Sequence, residues 1–432
     1  MLAVPRALAH LTTWSLAALA LTPVSGASAA AAKATVRAPD GLVARADRVA
    51  HGPATARAAQ TAGTDPRAAE QWALQGDAAM GAASAWRQTV GADVTVAIVD
   101  SGIDLGHPDL APNLWTNPGE IPGNGADDDG NGYVDDVHGF DFVGGDGDPQ
   151  DANGHGTHVA GIAAARGGNG IGGSGVAWRA RLMAVRVLDA DASGTTTAVA
   201  QGIHYAVDNG ARIVNLSLAG PSATTDLEDA IRYAQQRGVL IVVATGNAGA
   251  DLAGAPTYPA AYPEDNVLGV AATDSAGGLS AVSDYGPGAD VAAPGEQILS
   301  TALGGEYEWR TGTSMAAPHI AGALVLLAAA RPDLDARGLR DALLGQTRHT
   351  GLAVETGAVD VGAALRAVIA PASWKAAPAA KRTVGAAKAK GRTAGKAMSA
   401  KAKAKAKSKA KVKAKAKARK AAALRARSTA HR

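Results

Sequence analysis

The 432-residue sequence contains no cysteine. Disulfide staples are therefore excluded, together with a thiol nucleophile and any cysteine-ligated metal. Aromatic residues are scarce too, 4% of the chain with only 2 phenylalanines, so a core has to be assembled from Val, Ile, Leu and Ala. Acidic residues are missing from one end. Residues 372–432 carry 21 of the 42 Lys and Arg and no Asp or Glu, which leaves 21 basic against 39 acidic residues upstream. The formal net charge of +3 thus hides an acidic body, net −18, joined to a basic tail. A chain of this length has room for one large domain with appendages, or for two domains.

Residues 1–29 read as an export signal. Arg6 and His10 sit in a short n-region, residues 11–24 are mostly apolar, and Ala27-Ser28-Ala29 fits a small-x-small cleavage site. The alternative, a membrane anchor, needs a longer run than one broken at Pro23. Residues 30–64 are rich in Ala and Arg without a period and read as a short pro-segment or flexible extension. From Asp65 the pattern changes. Apolar runs at 94–99, 182–188, 213–218, 239–244, 267–272 and 291–293 alternate with helix-like segments at 82–89, 197–209, 226–237 and 314–330. Continuous apolar strands between helices imply an α/β fold with a mostly parallel sheet covered on both faces, spanning residues 65–371. In such a fold ligands sit beyond the carboxyl ends of the strands, where Asp100 and Asn247 fall. Residues 372–432, with near-strict Lys-Ala alternation over 401–420, cannot bury a core and read as a disordered tail.

Three motifs carry the chemistry. Asp100-Ser101-Gly102 ends an apolar run, followed by His155-Gly156-Thr157-His158-Val159-Ala160-Gly161 and by Gly312-Thr313-Ser314-Met315-Ala316-Ala317-Pro318-His319. A serine hydroxyl is a poor nucleophile at neutral pH unless an adjacent base removes its proton and a carboxylate orients that base. Singly, an Asp after a strand is a common turn residue, a Ser before a helix a common cap, and a lone His a common structural residue. Three extended motifs in the order Asp, His, Ser point to catalysis instead. At these residues, and from about 65 to 370, the chain resembles the subtilisin-like serine proteases, the subtilases. The resemblance implies a three-layer subtilisin-like fold. It implies a triad in which Asp100 orients His155, and His155 takes the proton of Ser314 and returns it to the leaving amine. Ala244-Thr245-Gly246-Asn247-Ala248-Gly249 resembles the family's oxyanion segment, so that Asn247 donates its amide to the tetrahedral intermediate. Subtilases commonly carry a larger folded pro-domain that blocks the site; the 35 residues at 30–64 leave that domain absent or much reduced.

The same resemblance places an extended-peptide channel between Ser193-Gly194-Thr195 and Ser217-Leu218-Ala219, mostly small residues with accessible backbone. It puts Thr257, beside Tyr258-Pro259, near the base of the pocket for the residue before the cut bond, making that pocket shallow. Asp127, Asp129 and Asn131, with Gly132 at the turn and Asp135 beyond, copy the first half of a calcium loop, although His138 stands where an EF-hand has its glutamate. A solvated acidic turn is the alternative reading. By resemblance, Asp109 and Asn169 belong to a second calcium site. Calcium bound to the folded state alone would offset the lack of disulfides.

These features describe a secreted, monomeric serine endopeptidase, stabilised by Ca2+, that hydrolyses protein or peptide substrates through an acyl-enzyme. The tail adds a flexible polycation suited to nucleic acid or to an anionic wall or membrane surface, and so to retention at the cell surface; the repeat has no aromatics for base stacking. Two other classes fit parts of the sequence. One is a polyanion-binding protein acting through its tail. The other is a catalytically silent peptide-binding relative, against which the intact Asp100, His155, Ser314 and Asn247 argue.

Overall fold

The computed structural model describes residues 41–43, 48–49, 65–75, 79–348 and 351–370. The segment 1–29 read as an export signal, most of the 30–64 segment and the basic tail lie outside the described residues. The strands are β1 (Gly41–Val43), β2 (Arg48–Val49), β3 (Thr95–Asp100), β4 (Gly139–Asp141), β5 (Arg181–Arg186), β6 (Ser193–Thr195), β7 (Ile213–Leu216), β8 (Leu240–Ala244), β9 (Val267–Thr273), β10 (Val291–Pro294), β11 (Ile298–Ala302) and β12 (Glu306–Thr311). The helices are α1 (Trp72–Gln75), α2 (Ala82–Ala85), α3 (His155–Ala164), α4 (Thr196–Asp208), α5 (Thr225–Gln236), α6 (Thr313–Ala330), α7 (Ala336–Leu344) and α8 (Val361–Ile369).

Seven strands form one parallel sheet in the order β10-β9-β8-β7-β3-β5-β4. The apolar runs are continuous because the sheet is buried on both faces, and successive side chains then serve opposite layers. On β3, Val96 and Ile98 join a core with α3, α6, α7 and α8, whereas Ala97 and Val99 join a second core with α4 and α5. This is the expected three-layer α/β arrangement. Its longest described helix is α6, which is apolar around nearly its whole circumference and buried from Thr313 to Ala328. In length and hydropathy α6 would suit a membrane span, but it is a core helix.

Most expected elements appear within two residues of their ends, with three differences. The segment 82–89 is helical only over α2; the chain then turns where Trp86 packs on Trp178, ring centroids 4.5 Å apart, and donates Nε1 to Val176 O. Helix α6 begins at Thr313, not at Ser314. The hairpin of β11 and β12, helices α7 and α8, and the short edge strand β4 are not among the expected elements, although α7 buries Leu339, Ala342 and Leu343 at helical spacing.

Candidate active site

Asp100 is the last residue of β3 and is fully buried. Val187 N and Leu188 N donate to its carbonyl oxygen, which fixes the strand end against the exit of β5. His155 is the first residue of α3, and its Nδ1 lies 2.7 Å from Asp100 Oδ1. Against a carboxylate, Nδ1 carries the proton, which leaves Nε2 as the basic nitrogen. Close approach of the two segments requires glycine. A Cβ on Gly156 would collide with Gly102 O, and Gly102 itself has φ +107°.

A buried carboxylate that the sequence reading passed over ties these segments together. Asp151 Oδ1 accepts from Ser101 Oγ at 2.9 Å, from Asn153 N at 2.8 Å and from Gly154 N at 2.9 Å; Oδ2 accepts from Thr157 N and Oγ1 at 2.9 and 2.7 Å. Ser101 Oγ in turn accepts from Gly156 N at 2.9 Å. The end of β3 and the start of α3 are thus clamped as one unit. Its signal in the sequence is an Asp four residues ahead of His155. The second histidine of the motif, His158, is held neutral: burial, then the nearby Arg310, push it well below the ordinary range.

Ser314 is the second residue of α6 and is buried. Its Oγ donates to Ser217 O at 3.1 Å, and its carbonyl accepts from Ser217 Oγ at 2.8 Å. That carbonyl is open to Ser217 because Pro318, four residues on, has no N–H to give it. Asn215 Nδ2 donates to Ser217 Oγ at 2.9 Å, so the end of β7 is locked to the start of α6. Asn247 lies three residues past β8. Its Oδ1 accepts from Thr313 N at 2.8 Å and from Thr313 Oγ1 at 2.9 Å, while Gly246 N donates to Thr313 Oγ1 at 3.1 Å. Two donors on the oxygen fix the amide orientation and direct Nδ2 as the donor end. Thr313 was missed in the sequence, although it sits directly before the serine.

Of the channel residues, Ser193, Gly194 and Thr195 form β6, and Thr195 also caps α4 by accepting from Ala198 N at 3.1 Å. Ser217, Leu218 and Ala219 follow β7 and are buried. Thr257 donates Oγ1 to Thr245 O at 2.5 Å, which brings it beside the Gly246-Asn247 loop.

The acidic loop is partly regrouped relative to the sequence expectation. Asp127 and Asp129 converge with Glu120, which the sequence reading missed, with carboxylate oxygens within 4.8 Å of one another. Such a set of hard oxygen donors fits calcium. Asp135 turns instead to Asn124 N and Gly125 N, at 3.1 and 2.9 Å. Asn131 donates Nδ2 to Asp129 and Asp136, and its Oδ1 accepts from Tyr133 N. At the second predicted metal position, Asp109 accepts from Asn169 Nδ2 and from Tyr307 OH, both at 2.7 Å. Asn169 Oδ1 accepts from Ile171 N at 3.0 Å, so the two side chains are joined directly to each other. Burial raises the Asp109 carboxyl above its ordinary range.

Residues 91–367 match the model of the subtilase family, peptidase S8. Over 247 residues the chain is 45% identical to thermitase of Thermoactinomyces vulgaris, covering 57% of this chain and 79% of that protein. It is 41% identical over 286 residues to subtilisin Savinase of Lederbergia lenta, covering 65% and 93%. Among solved structures, a protease of Pseudoalteromonas arctica superposes with a TM-score of 0.62 at 30% identity, covering 71% of this chain and 99% of the other.

Proposed function

Because the chain belongs to the subtilase family and is a serine endopeptidase acting on proteins, we propose that Ser314 is its nucleophile, His155 its general base and acid, and Asp100 the carboxylate that orients the imidazole. The observation that carries the assignment is the 2.7 Å contact of His155 Nδ1 with a fully buried Asp100, His155 standing on a helix, α3, that packs against the helix bearing Ser314. In this mechanism His155 Nε2 takes the Ser314 proton as Oγ adds to the scissile carbonyl. The same proton then goes to the leaving amine, an acyl-enzyme remains, and water repeats the sequence in reverse. Asn247 Nδ2 and the Ser314 backbone N–H receive the oxyanion. A helix N-terminus at Ser314 favours that negative charge.

Peptide substrate binds as a strand along Ser193–Thr195 and residues 217–219, with Thr257 limiting the pocket before the cut bond. Glu120, Asp127 and Asp129 would hold calcium, whose contribution is charge balance within the loop and not a step of the reaction. The protein is exported as a monomer, and its 21-residue excess of tail cations binds an anionic polymer at the cell surface.

Labelling of the 30–432 protein by a fluorophosphonate, beside Ser314→Ala and with or without calcium, tests this reading. Labelling of the parent alone supports an activated Ser314. Absence of labelling in folded, calcium-loaded protein would overturn it.

A further inference from the structure

Strand β7 breaks its own pattern at one position. Val214 and Leu216 belong to the core shared with α4 and α5, and Ile213 to the core shared with α3, α6, α7 and α8. Alternation puts Asn215 on the same face as Ile213. Its register partners are Ile98 on β3 and Val242 on β8, both fully buried members of that second core. Asn215 is itself 0% exposed. An apolar residue is the ordinary occupant of such a place, because an amide brings two polar atoms where few partners exist.

The two ends of this amide are treated unequally. Nδ2 donates to Ser217 Oγ at 2.9 Å, whereas Oδ1 has no hydrogen-bond partner among the described residues. Ser314 explains the orientation. Its carbonyl can only accept, so Ser217 Oγ gives it a proton at 2.8 Å and is left to accept in turn. The group beside Ser217 Oγ must then be a donor, which turns Nδ2 toward it and strands Oδ1 in the core. A buried oxygen left without a partner costs stability. Breaches of local pattern of this kind are kept where function requires them.

What the paired end supports is the serine of the triad. Ser217 holds Ser314 twice, through its Oγ on the carbonyl and through its own carbonyl, which accepts from Ser314 Oγ at 3.1 Å. Helix α6, which bears Ser314, packs directly on β7.

We propose that Asn215 is a positioning residue of the peptidase: its amide fixes the rotamer of Ser217, Ser217 sets the carbonyl and hydroxyl of Ser314, and the strand gives up an apolar core position for this. The proposal rests on the assignment of Ser314 as nucleophile.

The test places Asn215→Leu and Asn215→Val in the 30–432 protein. Leucine matches the amide in heavy atoms and valine suits a central strand, and either removes the donor together with the stranded oxygen. The rate of fluorophosphonate labelling is expected to fall about tenfold in both, as misplacement of a reacting group predicts. The urea midpoint is expected to stay the same or rise. Ser217→Ala, alone and combined with Asn215→Leu, completes a cycle. Because both changes act on one contact, the double variant is expected to label within about twofold of Ser217→Ala. Labelling at the parent rate in either apolar variant, fully additive losses in the cycle, or a midpoint that falls along with labelling would overturn the proposal, as would failure of both variants to fold. Labelling of the parent beside Ser314→Ala reads the nucleophile separately, so a failed positioning role is distinguished from a failed protease reading.

Discussion

Asn247 can serve the oxyanion only if its amide is turned the right way, and Thr313 turns it by occupying Oδ1 with both a backbone and a side-chain donor. Asn247→Ala is expected to lower kcat by about 10²–10³, the magnitude typical of losing one such donor in this family, with KM little changed. Thr313→Ala keeps the backbone donor and loses the hydroxyl, so it should lower kcat by about tenfold through the same atom. Steady-state kinetics check both, and a Thr313→Ala enzyme with wild-type kcat would remove Thr313 from a positioning role. His319 offers a different handle. Burial holds it down at about 4, with Nδ1–H donating to Met315 O at 2.8 Å. An unfolded histidine titrates near 6.5, so between those values the unfolded chain binds the extra proton. Stability from this residue is complete above about pH 6.5 and is lost as pH falls toward 4, on the order of 3 kcal/mol in all. His319→Gln should therefore lose less stability between pH 7 and 4.5 than the parent in urea titrations. Equal losses in the two proteins would refute the assignment.

Among the elements, α6 links the nucleophile to the core, and its proline is the informative position. Pro318 withholds the N–H that Ser314 O would otherwise accept, and Ser217 Oγ takes that carbonyl at 2.8 Å. Pro318→Ala supplies the missing donor. The variant should melt higher, because an interior proline costs a helix roughly 3 kcal/mol, while kcat falls as Ser217 loses its hold on Ser314. A variant that is both more stable and fully active would show the Ser217 contact to be incidental. The strands that deliver Asp100 and precede Asn247 were legible because a parallel sheet buried on both faces writes unbroken apolar runs, as at β3 and β8. The clamp around Asp151 and the Glu120 carboxylate were not legible. Their partners lie up to 50 residues away for Ser101 with Asp151, and depend on how turns fold back, which no period in the sequence records. Asp135 illustrates the same limit, since alternate spacing put it among the ligands and the turn at Asn124 and Gly125 claimed it.

For the whole molecule, the lack of cysteine leaves hydrogen bonding and burial, with the proposed calcium, to hold the loops. Calcium at one hundred times its Kd would stabilise the folded state by about 2.7 kcal/mol. Chelation should lower the Tm, and Glu120→Gln with Asp127→Asn and Asp129→Asn should abolish that calcium-dependent difference in calorimetry; a triple variant that still responds fully would move the site elsewhere. Ser314 has a further consequence through its place on α6. The serine is rooted in a helix buried from Thr313 to Ala328, and the carboxylate and the base lie on buried elements clamped to each other. A molecule can hardly lose its nucleophile by fraying; it loses it only when the core opens, and an opened chain is food for the copies still closed. Ageing in such a preparation belongs to the population and not to the individual. Survivors keep full specific activity while their number declines, and the decline is paced by the rate of unfolding as long as folded neighbours digest each opened chain before it can close again.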